Sequence, residues 1–360
     1  MAFDLDRALR YLIAAEGSDL HLKVPSYPLI RLHGRLEPIP DTERLYPEDT
    51  ERALAEMLGQ HRKLAEFEAD NEVDFSHAVE GLGRFRVNAF RQRGSISIVM
   101  RAIPMAIRSV GDLGLPEVVT RLAEEERGII LLTGTTGSGK STTLAAMLDH
   151  MNRTMAKHIV TIEDPIEFLH RDRTSIINQR EVGSDTESFT RALRRVLRQD
   201  PDTILIGEMR DEETVQTALS AAETGHLVLS TLHTVDASES INRIIDFFPP
   251  HQQHQARAMI AGTLKGIVSQ RLVRTADGNG RVATAEILVM TGRVHDMILD
   301  PKLTGQLPEV IAEGAYYGMQ TFDQHLLQLH KAGRVTMKDA MDNATSPHDF
   351  RIAVRAAGVG

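Results

Sequence analysis

Three kinds of hydrophobic spacing follow one another along the chain. Phe3, Leu5, Leu9, Leu12 and Ile13 recur at helical intervals, which predicts a short amphipathic helix over 3–16 closed by Gly17. Asp19-Leu20-His21-Leu22-Lys23-Val24 then alternates with period two, a strand signal, and 29–39 reads as a hairpin turning at His33-Gly34. Residues 48–69 read as two helices. Segments 73–79, 83–91 and 96–103 read as three strands joined by Gly-containing turns. A Pro- and Gly-containing stretch, 104–116, marks a boundary. Beyond it the pattern changes to short continuous apolar runs at 128–133, 158–162, 203–206 and 226–232, with helical stretches between them. Strands without alternation are buried on both faces, so a parallel sheet covered by helices is expected. After about residue 235 the chain reads as mostly helical, broken by a hairpin at 271–275 and 281–289 across Asp277-Gly278-Asn279-Gly280. The expected organisation is an α+β domain over 1–103, a linker over 104–116 and an α/β domain over 117–360 with a helical C-terminal part.

Composition narrows the chemistry. The 360 residues hold no cysteine, which excludes disulfides, thiolate zinc sites and a cysteine nucleophile. The net charge of −9 argues against a nucleic-acid partner, which usually needs a basic footprint. No apolar run reaches the ~18–20 residues that span a bilayer, and Met1–Asp6 lacks the features of a signal peptide, so a cytoplasmic protein is expected.

The strongest signal is Gly134-Thr135-Thr136-Gly137-Ser138-Gly139-Lys140-Ser141, followed by Thr142. It follows a predicted strand and opens a predicted helix, the context a phosphate-binding loop needs. Glycines let backbone N–H groups turn inward around phosphate oxygens, and the helix adds its positive N-terminal end. Lys140 would reach the β- and γ-phosphates and Ser141 would bind Mg²⁺. Ligands of parallel sheets collect at the carboxyl ends of strands. Glu208, after 203–206, and Glu163 and Asp164, after 158–162, fall at that edge, with His233 at the end of 226–232. Glu208 is the candidate to polarise water and to share in holding the metal, directly or through water.

Together, Gly134–Ser141, Thr161-Ile162-Glu163-Asp164-Pro165, Gly207-Glu208-Met209-Arg210-Asp211 and the stretch from Thr224-Gly225-His226 to Leu232-His233-Thr234 resemble the secretion ATPases. The closest likeness is to the PilT/PilU family of type IV pilus retraction ATPases. It extends to Gly17-Ser18-Asp19-Leu20-His21 and Gly83-Arg84-Phe85-Arg86-Val87-Asn88. The resemblance implies a PAS-like N-terminal domain, a RecA-like P-loop motor domain and a homohexamer. Nucleotide would bind between the domains, with Arg86 and Arg101 reaching its phosphates, Glu208 and Glu163 as hydrolytic acids, and His226 and His233 as the histidines of a shared motif. It also implies work on an inner-membrane pilus platform protein, hence peripheral membrane association. No zinc is expected, because the four-cysteine module of the assembly relatives is absent.

One departure stands out. Retraction motors carry Ala-Ile-Arg-Asn-Leu-Ile-Arg-Glu near the C-terminus, whereas this chain has Arg293-Val294-His295-Asp296-Met297-Ile298-Leu299-Asp300. His295 and Leu299 stand in place of the two arginines, which leaves an accessory PilU-like role open beside retraction. A nucleic-acid translocase on the same core is a further alternative. Arg191, Arg194, Arg195 and Arg198 read as a solvated helix face or a subunit contact, and Met147, Met151 and Met155 as core.

Overall fold

The computed structural model describes residues 3–59, 62–104 and 106–358. Contacts divide the chain into two units, one of residues 1–105 with 167–169, the other of 106–166 and 170–360. The division falls within the Pro/Gly-rich stretch 104–116.

The first unit begins with α1 (Leu5–Ala14), whose first turn Asp4 caps by accepting the Arg7 N–H. Strands β1 (Asp19–Leu22), β2 (Leu29–Leu32) and β3 (Arg35–Pro38) precede α2 (Pro47–Leu58) and α3 (Arg62–Asp70). β4 (Glu72–Val79), β5 (Gly83–Gln92) and β6 (Ser95–Ala102) complete an antiparallel sheet of order β3-β2-β1-β6-β5-β4. Alternation sets its two faces. Phe85, Val87 and Ala89 of β5 and Ile98 and Met100 of β6 are buried against Leu9, Leu12 and Leu54 of the helices. Arg86 and Arg101 project from the other face.

In the second unit, α4 (Val118–Ala123) leads into a seven-stranded sheet. Its strands are β7 (Gly128–Thr133), β8 (His158–Glu163), β9 (Ile176–Glu181), β10 (Thr203–Ile206), β11 (Leu227–Leu232), β12 (Leu264–Arg274) and β13 (Arg281–Val289), in the order β13-β12-β7-β11-β10-β8-β9. All pairs are parallel except β12 with β13. Helices α5 (Lys140–Thr154), α6 (Phe189–Val196), α7 (Glu212–Glu223), α8 (Ala237–Asp246) and α9 (Gln253–Thr263) run between the strands. Successive residues of one strand enter opposite cores: Ile129 and Leu131 join Ile204, Ile206 and Val228, whereas Ile130 and Leu132 join Leu144, Met147, Met151 and Leu229. This double burial is why these strands lack alternation. α10 (Gly292–Leu299), α11 (Leu307–Glu313), α12 (Phe322–Lys331), α13 (Met337–Asn343) and α14 (Pro347–Ala356) follow, the last three closing over Val273 and Val282 of the hairpin. The whole is the expected α/β architecture with a smaller α+β unit before it.

Two features differ from the expectation. β9 was not anticipated. The hairpin's first strand begins at Leu264, not 271, and its early half pairs parallel with β7, so the hairpin extends the central sheet.

Candidate active site

Register aligns the site. Leu131, Ser230, Ile206 and Ile162 form one row across β7, β11, β10 and β8. Thr133 with its loop, Glu163, Glu208 and His233 all lie one to three residues beyond that row, at the carboxyl edge of the sheet.

The loop between β7 and α5 turns on left-handed glycines: φ is 139° at Gly134, 78° at Gly137 and 95° at Gly139, which is the N-cap of α5. A side chain at Gly134 would collide with the chain itself. Its β-carbon would lie 2.5 Å from the Gln270 carbonyl oxygen and 2.5 Å from Ser138 Oγ. β12 is therefore the floor against which the loop is pressed, and Thr133 Oγ1 donates to Ser269 Oγ at 2.9 Å beside it. Lys140 is buried. Its ammonium donates to the carbonyl oxygens of Gly134, at 2.7 Å, and Thr135, at 3.1 Å. Burial pushes its pKa down, and the charge of Glu208 opposes that shift. Ser138 Oγ is buried at the loop without a hydrogen-bond partner. A buried ammonium and an orphaned hydroxyl in one glycine-rich loop are donors that suit a phosphate. Ser141 and Thr142 occupy the first turn of α5, with Ser141 exposed.

Glu208 follows β10 by two residues. Its carboxylate is mostly buried and held from two sides, with Arg210 Nη2 2.7 Å from Oε2 and His233 Nε2 3.4 Å from Oε1. Gly207 before it admits no ready substitute. A β-carbon there would stand 3.3 Å from the Ile162 carbonyl oxygen and 3.4 Å from Glu163 Cα, so β8 and β10 approach closely where both acids emerge. Glu163 Oε1 accepts from Thr161 Oγ1 at 2.7 Å and from Gln179 Nε2 at 3.1 Å. Asp164 is exposed beyond it and adds to the field that raises the Arg210 pKa, chiefly through the Glu208 hydrogen bond. Among the described residues no group of three or more His, Asp or Glu forms a metal cage.

Lys140, Ser141, Glu163, Glu208 and His233 thus share one edge. His226 does not. It precedes β11, and its carbonyl accepts the N–H of Gly128, the first residue of β7. Its ring lies beside the Ala221 carbonyl at 3.0 Å. Six strand residues of ~3.3 Å each put it about 20 Å from the phosphate loop of its own chain. In a parallel sheet the start of a strand faces away from the end, so one strand cannot bring both histidines to one site.

Arg86 and Arg101 belong to the first unit, directly opposite each other on β5 and β6. The row continues to Asp19 and Arg31 on β1 and β2. Asp19 is buried and accepts from Arg101 Nε at 2.8 Å and Ser18 Oγ at 2.7 Å, with Arg31 Nε at 3.7 Å. Burial raises its pKa, but those hydrogen bonds and the Arg101 charge outweigh it and hold the carboxyl below its ordinary value. With Nε held at Asp19, the rest of the Arg101 side chain is largely exposed. Arg86 Nη1 lies 3.9 Å from Glu167.

Asp19, Arg31 and Gln179 were not anticipated as site residues. The period-two pattern of 19–24 could have placed Asp19 on the polar face with Arg101, whereas Gln179 lies on the strand that the pattern did not show. The four arginines read as a surface face are partly paired with acids, Arg191 with Glu187 and Arg194 with Glu213. Met147 and Met151 are core, with Met155 packed against it.

Comparison with known proteins agrees with this geometry. Residues 70–345 match the family model described as type II/IV secretion system protein. The chain is 43% identical over 349 residues to the type IV pilus retraction ATPase PilT of Pseudomonas aeruginosa, covering 96% of this chain and 100% of that one. It is 41% identical over 353 residues to the type IV pilus ATPase PilU of the same organism, covering 98% and 91%. A crystal structure of the pilus retraction motor PilT with bound ADP superposes with a TM-score of 0.89 at 44% identity, covering 96% of this chain and 98% of that one. No helix among the described residues is long and apolar enough to cross a membrane. The chain belongs to the type II/IV secretion system proteins, on the branch of the PilT and PilU pilus ATPases.

Proposed function

We propose that this chain is the ATP-hydrolysing motor of type IV pilus retraction, working as a homohexamer on an inner-membrane platform protein. The observation that carries this reading is the convergence of Lys140, Glu163 and Glu208 on one sheet edge, in a chain aligned with PilT over nearly its full length. The loop amides and Lys140 bind the phosphates. Ser141 and Glu208 would hold Mg²⁺, directly or through water, and when bound that ion neutralises charge on the β- and γ-phosphoryl oxygens. Glu208, assisted by Glu163, orients water and takes its proton as the water oxygen attacks γ-phosphorus and the bond to the bridging oxygen breaks. Arg86 and Arg101 bring fixed positive charge to stabilise the γ-phosphoryl group as it passes from ADP to water. His233, against Glu208, reports the presence of γ-phosphate. The 1–103 domain and the 117–360 motor domain move about the 104–116 linker as the nucleotide turns over.

A second reading, an accessory PilU-like ATPase, is favoured by α10. There half-buried His295 and exposed Leu299 replace two arginines of the retraction motors with an imidazole and an apolar side chain. Deleting the gene in a piliated host separates the two. A retraction motor's loss leaves surface pili accumulated and twitching abolished. An accessory subunit's loss leaves pilus number near normal, with twitching failing only under load. A nucleic-acid translocase predicts ATPase stimulation by DNA, and an unchanged rate with added DNA removes that alternative.

A further inference from the structure

We infer that Gln179 is a positioning residue for the reaction, fixing the carboxylate of Glu163 by a directed amide hydrogen bond from edge strand β9. This rests on the reading of Glu163 as an acid of the hydrolytic site. Among the described strands β9 pairs only with β8, in parallel, setting Gln179 beside Thr161 and Glu181 beside Glu163. The side chains of Thr161, Glu163 and Gln179 therefore share one face of the sheet. The amide has a determined orientation. Gln179 Oε1 accepts the backbone N–H of His170 at 2.9 Å, a group that can only donate. The reverse orientation would set an NH₂ against that N–H, so the network itself assigns the amide. With the oxygen committed to His170, Nε2 must point at Glu163, where it meets Oε1 at 3.1 Å. Thr161 Oγ1 donates to the same oxygen at 2.7 Å. Two donors converging on one carboxylate oxygen fix both the rotamer and the plane of the acid.

β9 braces the following loop at a second point, where buried Glu181 Oε2 accepts the Ile166 N–H at 3.1 Å. The loop that leaves the Glu163 strand is thus tied back to β9 at residues 166 and 170. The Gln179 amide is the link through which the brace at 170 reaches the acid. A strand that adds only an edge to the sheet would not need an amide there; any side chain could fill it.

The test separates support of the loop from orientation of the acid. Gln179→Glu keeps an acceptor for His170 but removes the donor and sets a like charge beside Glu163. In ATPase assays of the full chain it lowers kcat at least about tenfold, since small misplacements of a reacting group cost that much or more. KM for ATP stays within about twofold, because the phosphate loop is untouched. Gln179→Met, which loses donor and acceptor alike, also lowers kcat and serves if the glutamate variant does not fold. In a Glu163→Gln background either change adds less than about twofold, because the group through which Gln179 acts is already gone. Wild-type kcat in both single variants, or an undiminished tenfold loss in the Glu163→Gln background, overturns the inference. Near-normal turnover by Glu163→Gln alone instead overturns the reading of Glu163 on which it rests.

Discussion

Gly134→Ala tests how the phosphate loop is built. The residue has φ of 139°, a region that a side chain enters at a cost of roughly 1–3 kcal/mol. Its new β-carbon would also stand 2.5 Å from the Gln270 carbonyl oxygen, which is backbone of a central strand and cannot swing aside. Overpacking of that kind adds about 1–3 kcal/mol. The loop can relieve the clash only by lifting off β12, which would redirect the amides proposed to hold the phosphates. If about 3 kcal/mol of that cost appears in binding, nucleotide affinity falls about a hundredfold. Gly137→Ala is the matched control. Its φ of 78° is also left-handed, but its β-carbon would meet nothing within 4 Å. Its cost is backbone strain alone, about 1–2 kcal/mol. Titrating each variant with a fluorescent ADP analogue, alongside thermal melting, gives the comparison. Equal affinities for the two variants would refute the claim that contact with β12 shapes the loop.

Further expectations follow from individual groups. Burial, reinforced by Asp236 and Asp323, pushes the Glu286 carboxyl up to about 7 against the opposing Ala237 N–H and Arg271; unfolded, it titrates near ~4.3. Between those values the folded protein holds a proton that the unfolded chain has lost, so this contribution to stability is full below ~4.3 and lost as pH rises through about 7. Glu286→Gln should therefore gain on the wild type by roughly 3 kcal/mol in urea unfolding between pH 5 and pH 8, and parallel curves would contradict that. Arg101→Ala takes one charged partner from buried Asp19, which keeps Ser18 and Arg31, so the protein should stay folded with its unfolding free energy lowered by about 1–3 kcal/mol. If Arg101 acts on the phosphoryl group, kcat should nevertheless fall about a thousandfold; a loss of stability without a loss of rate would make it merely structural.

The legibility of this fold in its sequence follows from where each strand finds its partners. β7, β8, β10 and β11 are flanked on both sides and buried on both faces, so each is an apolar run of four to six residues that stands out from its surroundings. β9 has one neighbour, and its Ile176-Ile177-Asn178-Gln179-Arg180-Glu181 is two-thirds polar, so nothing in its hydropathy marks a strand. β12 was cut short because α9 passes directly into it at Thr263/Leu264, with no loop residue between helix and strand to mark the boundary. The phosphate loop was readable because its glycines respond to local geometry. The edge positions of Glu163, Glu208 and His233 were readable because parallel strands share a direction. That same direction puts His226 at the far edge, an outcome that a motif match alone does not reveal. Gln179 was invisible as a site residue because its strand was, whereas alternation could put Asp19 on the polar face but only cross-strand register pairs it with Arg101.

The central claim is that Lys140 and Glu208 serve one pocket, the first holding phosphate and the second activating water. Single-turnover ATP hydrolysis, measured together with nucleotide affinity for Lys140→Ala and Glu208→Gln, tests it most directly. The account predicts that Lys140→Ala loses affinity and turnover together, while Glu208→Gln binds ATP as the wild type does and hydrolyses it at least about a hundredfold more slowly. Hydrolysis by Glu208→Gln at the wild-type rate would contradict it.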